Sequence, residues 1–126
     1  VDEWAHIPCS KISDQILKKA IDQNIKIIGT LDTLSKCDGS FQNARRWSAL
    51  GGNLLYGAEI GHDDIPWGID SQELSYMMEL MHLPLIEVLK NATSRSGIHL
   101  GLPLLGTLQP NAPADLIAIR GKQTLL

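Results

Sequence analysis

Three short apolar segments recur along the chain, and each is followed by a stretch with helical character. Alternation of this kind predicts parallel strands joined by helical crossovers, which is an α/β fold. Ser13 is a candidate N-cap for the first helix, because Ile16, Leu17, Ala20 and Ile21 then share one apolar face. The apolar segments lie at 4–7, 25–28 and 53–56, and they end at Pro8, Gly29 and Gly57.

The connections after the second and third segments are long. We expect a loop from 30 to 42, with Asp38-Gly39 as its turn, and then a short helix that stops at Gly51-Gly52. A second loop, 58–70, precedes the clearest helical pattern, whose apolar face predicts packing into a core. That face is formed by Leu74, Met77, Met78 and Met81.

The last third of the chain predicts two more helices and then strand-like segments. Pro84 suits the first turn of a helix, and the stretch 92–100 is helical up to Gly101. Segments 106–108 and 115–119 are strand-like. Two architectures stay open, because three strand–helix units form either a small open sheet or part of a closed eight-stranded barrel of ~250 residues.

Composition excludes several classes of protein. The formal net charge of −3, with no basic cluster larger than a pair, argues against a nucleic-acid partner. No apolar run is as long as a membrane span, so we expect no membrane partner. Cys9 and Cys37 form neither a CxxC pair nor a dense framework, so they indicate neither a disulfide scaffold nor a zinc knot. We therefore expect a reducing, cytoplasmic location.

Short motifs follow one another in order from position 56 to position 116: YGAEIGH at 56–62, QEL at 72–74, LPLIEVL at 83–89, NAT at 91–93, LG at 100–101, LGTLQP at 105–110 and ADL at 114–116. This ordered run resembles the C-terminal signature of the amidohydrolase superfamily. The likeness is to its imidazolonepropionase-like and prolidase-like branches of metal-dependent hydrolases. More loosely, DEWAH at 2–6 is similar to the sixth barrel strand of that family, which ends in a metal-binding His.

The resemblance implies a fold, a reaction and site residues. The fold is roughly strands six to eight of a (β/α)₈ barrel over residues 1–105, with 106–126 returning to a small β-sandwich domain. The reaction is hydrolysis of an amide or cyclic amide C–N bond by metal-activated water. His6 would be a zinc ligand and Glu59 the carboxylate that takes the proton of that water. His62 and Asp63, with the adjoining Asp64, would contact substrate from a loop above the site.

The chain also departs from the family pattern. Ala58-Glu59 stands where the family has Thr-Asp, and the longer side chain shifts the carboxylate by about one C–C bond, which is large against a positioning tolerance of roughly 0.5 Å. His82 and Asn111 replace family glycines, and both residue types tolerate left-handed backbone. The His-x-His motif of strand one and the ligands of strands four and five are absent from the sequence.

One zinc ligand and one carboxylate cannot complete a tetrahedral zinc site. We therefore expect a fragment that is inactive alone and whose partner is the N-terminal portion of the barrel, with one or two zinc ions in the intact protein. A small amide or a dipeptide is the expected substrate, and homo-oligomerisation stays open. The alternative is a non-catalytic α/β domain, or a barrel remnant, that assembles with a partner chain.

Overall fold

A three-stranded parallel sheet forms the centre of the computed structural model, which describes residues 2–118. The strands are β1 (Glu3–Trp4), β2 (Lys26–Ile28) and β3 (Leu54–Leu55). The order in the sheet is β1-β2-β3, so that β1 and β3 are its edges. The helices are α1 (Asp14–Asp22), α2 (Asp38–Ala49), α3 (Ser71–Met81), α4 (Leu85–Ala92) and α5 (Ser94–His99). The α/β class and the parallel strands that the alternation predicts are thus confirmed.

One hydrophobic core lies between the sheet and the helices. Trp4, Ile27 and Leu54 occupy one row across the sheet, where the backbone register places each opposite the next. Ile27 and Leu54 are completely buried, as are Leu17 of α1 and Met77 of α3. Full burial of a side chain of this size stabilises the fold by about 1.5–3 kcal/mol. The core therefore anchors the strand ends from which the loops depart.

Local capping chemistry explains several helix ends. The hydroxyl of Ser13 accepts a hydrogen bond from the N–H of Ile16 at 3.3 Å, which confirms the predicted N-cap. His82 ends α3 with a φ of 53°, and Asn111 has a φ of 68°. Both residues therefore adopt the left-handed backbone that was expected where the family pattern has glycine.

The predicted loop at 30–42 is too long, because α2 already begins at Asp38. Asp38-Gly39 is the first turn of this helix and not a loop turn. Gly39 is buried against the backbone of the segment after β1, where an added Cβ would lie 2.1 Å from the carbonyl oxygen of Cys9 and 2.6 Å from the N–H nitrogen of Lys11. A tertiary contact thus overrides the turn preference of the Asp-Gly pair.

Cys9 and Cys37 are joined by a disulfide bond. The spacing of the two cysteines in the sequence did not indicate this bond. The 28 residues between them in sequence say nothing about their distance in space. Cys9 follows β1 and Cys37 follows β2, and because these strands are parallel neighbours, their loops leave the sheet at the same edge.

The C-terminal stretch from 106 to 118 contains turns and irregular backbone. The strands expected at 106–108 and 115–118 are not formed, and residue 119 lies outside the described residues, as do 120–126 of the proposed β-domain. A strand exists only where a neighbour satisfies its backbone groups, and the described sheet extends no further than β1, β2 and β3. Within residues 2–118, no helix has the length and apolar character needed to cross a membrane.

Gly39→Ala tests the close approach of α2 to the segment after β1. In an open helix interior this change stabilises by about 0.5–1 kcal/mol. Here we expect the opposite sign, a loss of about 1–3 kcal/mol, because the new methyl group meets backbone that cannot rotate away. Urea unfolding measures the change, and Gln42→Ala on the exposed side of α2 is the control. A stabilised Gly39→Ala variant would contradict the observed packing.

Candidate functional site

His6 and Glu59, from loops after two different strands, face each other at the carboxyl edge of the sheet. The Nε2 atom of His6 lies 3.9 Å from Oε1 of Glu59. Both side chains are partly open to solvent, with exposed fractions of 46% and 38%. The two residues that the sequence singled out as metal ligand and general base therefore lie together, although 53 positions separate them in the numbering.

Thr30 orients the imidazole of His6. Its hydroxyl oxygen lies 2.9 Å from Nδ1 of His6, and Thr30 itself is 4% exposed. When Nδ1–H donates to this hydroxyl, the lone pair of Nε2 points towards the carboxylate of Glu59. In this tautomer Nε2 carries a lone pair that can bind a metal cation.

Two residues at this edge of the sheet have an unfavourable backbone conformation. Thr30 has a φ of 108° and Glu59 a φ of 57°. Positive φ is uncommon for residues other than glycine and is a genuine outlier for a β-branched residue such as Thr. Strain of this kind costs about 1–3 kcal/mol per residue and persists where the surroundings hold it in place. Both strained residues carry side chains of the candidate site.

Glu73 holds Thr30 in this conformation. Glu73 lies on α3 and is completely buried. Its Oε1 accepts the N–H of Thr30 and its Oε2 the N–H of Asp32, each at 2.9 Å. Gly29 leaves space for the carboxylate, since a Cβ there would lie 2.2 Å from Oε1 of Glu73. A buried carboxylate on a helix thus fixes the turn that follows the central strand.

Burial raises the pKa of Glu73 to about 7, because the charged form loses its hydration. The backbone N–H groups of Thr30 and Asp32 act in the opposite direction, and the nearby charge of Asp70 raises the pKa further. The pKa of Asp32 is also raised, first by desolvation and then by the charge of Asp70 and a hydrogen bond to it. Three carboxyl groups therefore share one end of the sheet.

Asp70 connects this carboxyl group cluster to β3 and α3. Asp70 is 2% exposed and caps α3, where its Oδ1 accepts the N–H of Gln72 at 2.9 Å. The N–H of Asp70 donates to the hydroxyl of Tyr56 at 2.7 Å. Its second oxygen, Oδ2, has no hydrogen-bond donor among the described residues.

His62, Asp63 and Asp64 lie in the exposed loop between β3 and α3. Asp64 forms a solvent-exposed ion pair with Lys36 at 2.9 Å, and this pair lowers the pKa of Asp64. The N–H of His62 closes a tight turn by donating to the carbonyl oxygen of Glu59 at 3.2 Å. The backbone of His62 thus supports Glu59, while a substrate role for His62 and Asp63 stays a prediction.

Sequence inspection missed Glu73, Asp70 and Thr30 as parts of this edge. In the sequence, QEL at 72–74 stands out only as a family motif. A Glu beside the apolar residues of a helix is normally exposed, so the burial of Glu73 was not expected. The signal in the sequence was Gly29-Thr30 directly after an apolar strand. A glycine at such a position often leaves room for a group from a neighbouring element. The partner on α3 could not be named from sequence, because 43 positions separate Glu73 from Thr30.

Among residues 2–118, no group of three or more His, Cys, Asp or Glu side chains is arranged to hold a metal ion. His6 and Glu59 are a pair and not a complete site. Comparisons of the chain with protein-family models, with curated proteins and with solved structures find no match. The geometry of this edge is therefore the structural basis for a functional proposal, together with the motifs described above.

Glu73→Gln tests the role of the buried carboxylate through the pH dependence of stability. The folded-state pKa of about 7 lies above the ordinary 4.5, so the folded protein keeps a proton that the unfolded chain releases between these values. The contribution to stability is thus fully present below pH 4.5 and is lost as the pH rises through 7. Its size is on the order of 3 kcal/mol.

We expect Glu73→Gln to remove most of this pH dependence of stability. Because the pKa of Asp32 is also raised, the stability of the variant should still fall with rising pH, but less steeply. The variant also loses one acceptor for a backbone N–H, which costs about 1–3 kcal/mol near pH 5. Chemical denaturation at pH 4.5–8 measures both effects. Glu79→Gln, an exposed change on the same helix, is the control and should leave the wild-type profile unchanged. An unaltered profile in Glu73→Gln would assign the pH dependence to other groups.

Proposed function

We propose that this chain is the C-terminal part of a metal-dependent amidohydrolase that cleaves amide or cyclic amide C–N bonds. The observation that carries the proposal is the 3.9 Å approach of His6 Nε2 to Glu59 Oε1 at the carboxyl edge of a parallel sheet. In α/β folds this edge is where catalytic side chains from successive strands meet. The class of reaction, hydrolysis of a C–N bond, is proposed from the resemblance of the ordered motifs at 56–116 to the amidohydrolase superfamily.

The His6–Glu59 pair is compatible with one zinc ion as a partial site. In such a site Nε2 of His6 would hold the ion, and Glu59 would lie beside the water that the ion activates. Catalytic zinc sites need three protein ligands. Because no group of three donors converges within residues 2–118, further ligands must come from another portion of the barrel.

Each residue of this edge has a separate role in the proposed reaction. His6 would hold a zinc ion through Nε2, and Thr30 would keep the imidazole in the required tautomer through Nδ1. The ion, when bound, would supply an acidified water as the nucleophile. Glu59 would accept the proton of that water and return it to the leaving amine. Glu73 contacts no reacting atom and is a positioning residue that acts through Thr30.

The barrel assignment extends the observed sheet. β1 and β3 are edges in the described structure, and a closed (β/α)₈ barrel leaves no such edge. In this proposal the three strands are roughly the sixth to eighth of the barrel. The isolated chain is then inactive, and the substrate is a small amide or a dipeptide.

A second candidate function is a non-catalytic domain that assembles with a partner chain, or with copies of itself. It is favoured by apolar side chains that remain exposed from α5 onwards. Leu108 is 89% exposed and Leu116 70%, and exposed apolar side chains are typical of interaction sites where they form a patch. A cytoplasmic location stays a prediction, and the Cys9–Cys37 disulfide argues against it, since such bonds are typical of oxidising compartments.

Substitutions at Glu59 and His6 separate their proposed roles in the protein that contains the whole barrel. Glu59→Gln should retain the metal and lose roughly 10²–10⁴-fold in kcat, because a proton acceptor is removed. His6→Ala should instead lose metal, because a ligand is removed. Turnover of N-acyl amino acids and Xaa-Pro dipeptides, with metal content by mass spectrometry, measures both. His62→Ala is the control and should change KM at most. Near-wild-type kcat in Glu59→Gln would show that this carboxylate is not the base.

The isolated 126-residue chain distinguishes the two functions directly. The hydrolase proposal predicts no turnover and weak zinc binding that depends on His6, because one ligand does not close a site. Titration with Zn²⁺, in wild type, His6→Ala and Glu59→Gln, measures this dependence. Zinc binding unaffected by either substitution, in a chain that forms stable oligomers, would favour the non-catalytic domain.

A further inference from the structure

A dense set of contacts surrounds the Cys9–Cys37 disulfide and holds the same two segments together. The segment after β1, residues 8–12, lies against the first turns of α2. Cys9 is exposed to solvent and Cys37, the N-cap of α2, is partly exposed. The disulfide is thus accessible to a reagent in solution, while the segments that it joins have further, independent contacts.

Asn43 is the main independent contact. It lies one turn into α2 and is completely buried. Its Nδ2 donates to the carbonyl oxygens of Pro8 at 2.8 Å and Ser10 at 2.9 Å, and its Oδ1 accepts the N–H of Ile12 at 3.2 Å. One side chain therefore binds the backbone on both sides of Cys9.

Arg46 and Gly39 complete this attachment. Arg46 donates through Nη1 to the carbonyl oxygen of Ile12 at 2.6 Å and through Nε to Asp14 at 2.6 Å. Gly39 allows the backbone of Cys9 to approach α2 more closely than any side chain would permit. None of these contacts involves a sulfur atom, so none is lost when the disulfide opens.

From this arrangement we propose that Cys9 and Cys37 are a reversible dithiol–disulfide site whose two sulfur atoms are kept within bonding distance by Asn43. The inference goes beyond the proposed hydrolase function and does not depend on it. Reduction leaves the fold and the attachment of residues 8–12 intact. Because the thiols remain adjacent, their effective concentration is high and the bond reforms readily in the presence of a disulfide oxidant.

The exchange uses a thiol of the glutathione type. A glutathione thiolate attacks Sγ of the more exposed Cys9, the S–S bond breaks, and Cys37 leaves as a thiolate at the N-terminus of α2. The positive end of the helix dipole stabilises that charge, although Asp38 opposes it. A second glutathione thiolate attacks the glutathione sulfur of the mixed disulfide and releases Cys9. Two protons and two electrons pass to the protein, and oxidised glutathione is the product.

Redox titration of the full 126-residue chain tests the proposal. Glutathione buffers of varied ratio are equilibrated with the protein, and the oxidised fraction is measured by thiol alkylation and mass spectrometry. Far-UV circular dichroism is followed on the same samples. We expect reversible conversion between zero and two thiols with an unchanged folded spectrum. Loss of the folded spectrum in step with reduction would overturn the proposal, as would a chain whose thiols do not pair in oxidised glutathione.

Asn43→Ala tests the origin of the effective concentration. The variant loses three hydrogen bonds. A net loss equal to one bond, about 1 kcal/mol, already corresponds to about a fivefold shift, so the midpoint of the redox titration should move at least about fivefold towards oxidising buffers. Asn91→Ala removes an equally buried amide, whose partners Asn53 and Arg95 lie elsewhere, and should not move the midpoint. An unchanged midpoint in Asn43→Ala would refute the role of Asn43.

The outcome stays informative if Asn43→Ala does not fold. Arg46→Ala then takes its place, with an expected shift of at least about twofold for the loss of its bond to Ile12. The double variant Cys9→Ser with Cys37→Ser gives a second, independent result. It should retain the wild-type spectrum and a cooperative thermal transition, because the other contacts hold residues 8–12. An unfolded double variant would mean that the disulfide itself maintains the fold and is not a reversible site.

Discussion

Both carboxylate oxygens of Glu73 are bound by backbone N–H groups of the turn that follows the central strand, and the arrangement of the candidate site depends on this interaction. The two bonds tie α3 to β2 across the core and fix Thr30 in a backbone conformation that it would otherwise avoid. Thr30 in turn orients His6. Burying a carboxylate is costly, and the two backbone donors offset part of that cost. Desolvation outweighs them, so the pKa of Glu73 is raised to about 7.

The edge of the sheet has an inner layer and an outer layer with different physical character. The inner layer, Glu73 and Asp70, is buried and hydrogen-bonded, and it positions backbone. The outer layer, His6 and Glu59, is partly exposed and able to meet a ligand. Rigid support beneath accessible chemical groups is the arrangement that catalysis requires, because reacting groups must be held close to their productive positions. This separation is consistent with the hydrolase proposal, whereas a merely structural carboxylate cluster would not need exposed members.

The proposed redox site lies next to this edge and stands on separate contacts. Cys9 is three positions after His6, so any movement of residues 8–12 would reach the imidazole. Asn43 and Arg46 hold that segment without help from sulfur. The candidate active site is therefore expected to keep its geometry in both oxidation states. The edges of the described sheet and several apolar side chains after α5 are left uncovered.

The sequence by itself determined the features that depend on local chemistry and periodicity. The apolar segments predicted the central and third strands, Ser13 the first N-cap, and His82 and Asn111 the left-handed turns. The alternation of strands and helices, together with the resemblance, also predicted that His6 and Glu59 lie at the same edge of the sheet. The tertiary structure alone decided the start of α2 at Asp38, the Cys9–Cys37 bond and the contact between Glu73 and Thr30. Each of these joins positions far apart in the chain, and no local pattern encodes a distance between segments that only packing brings together.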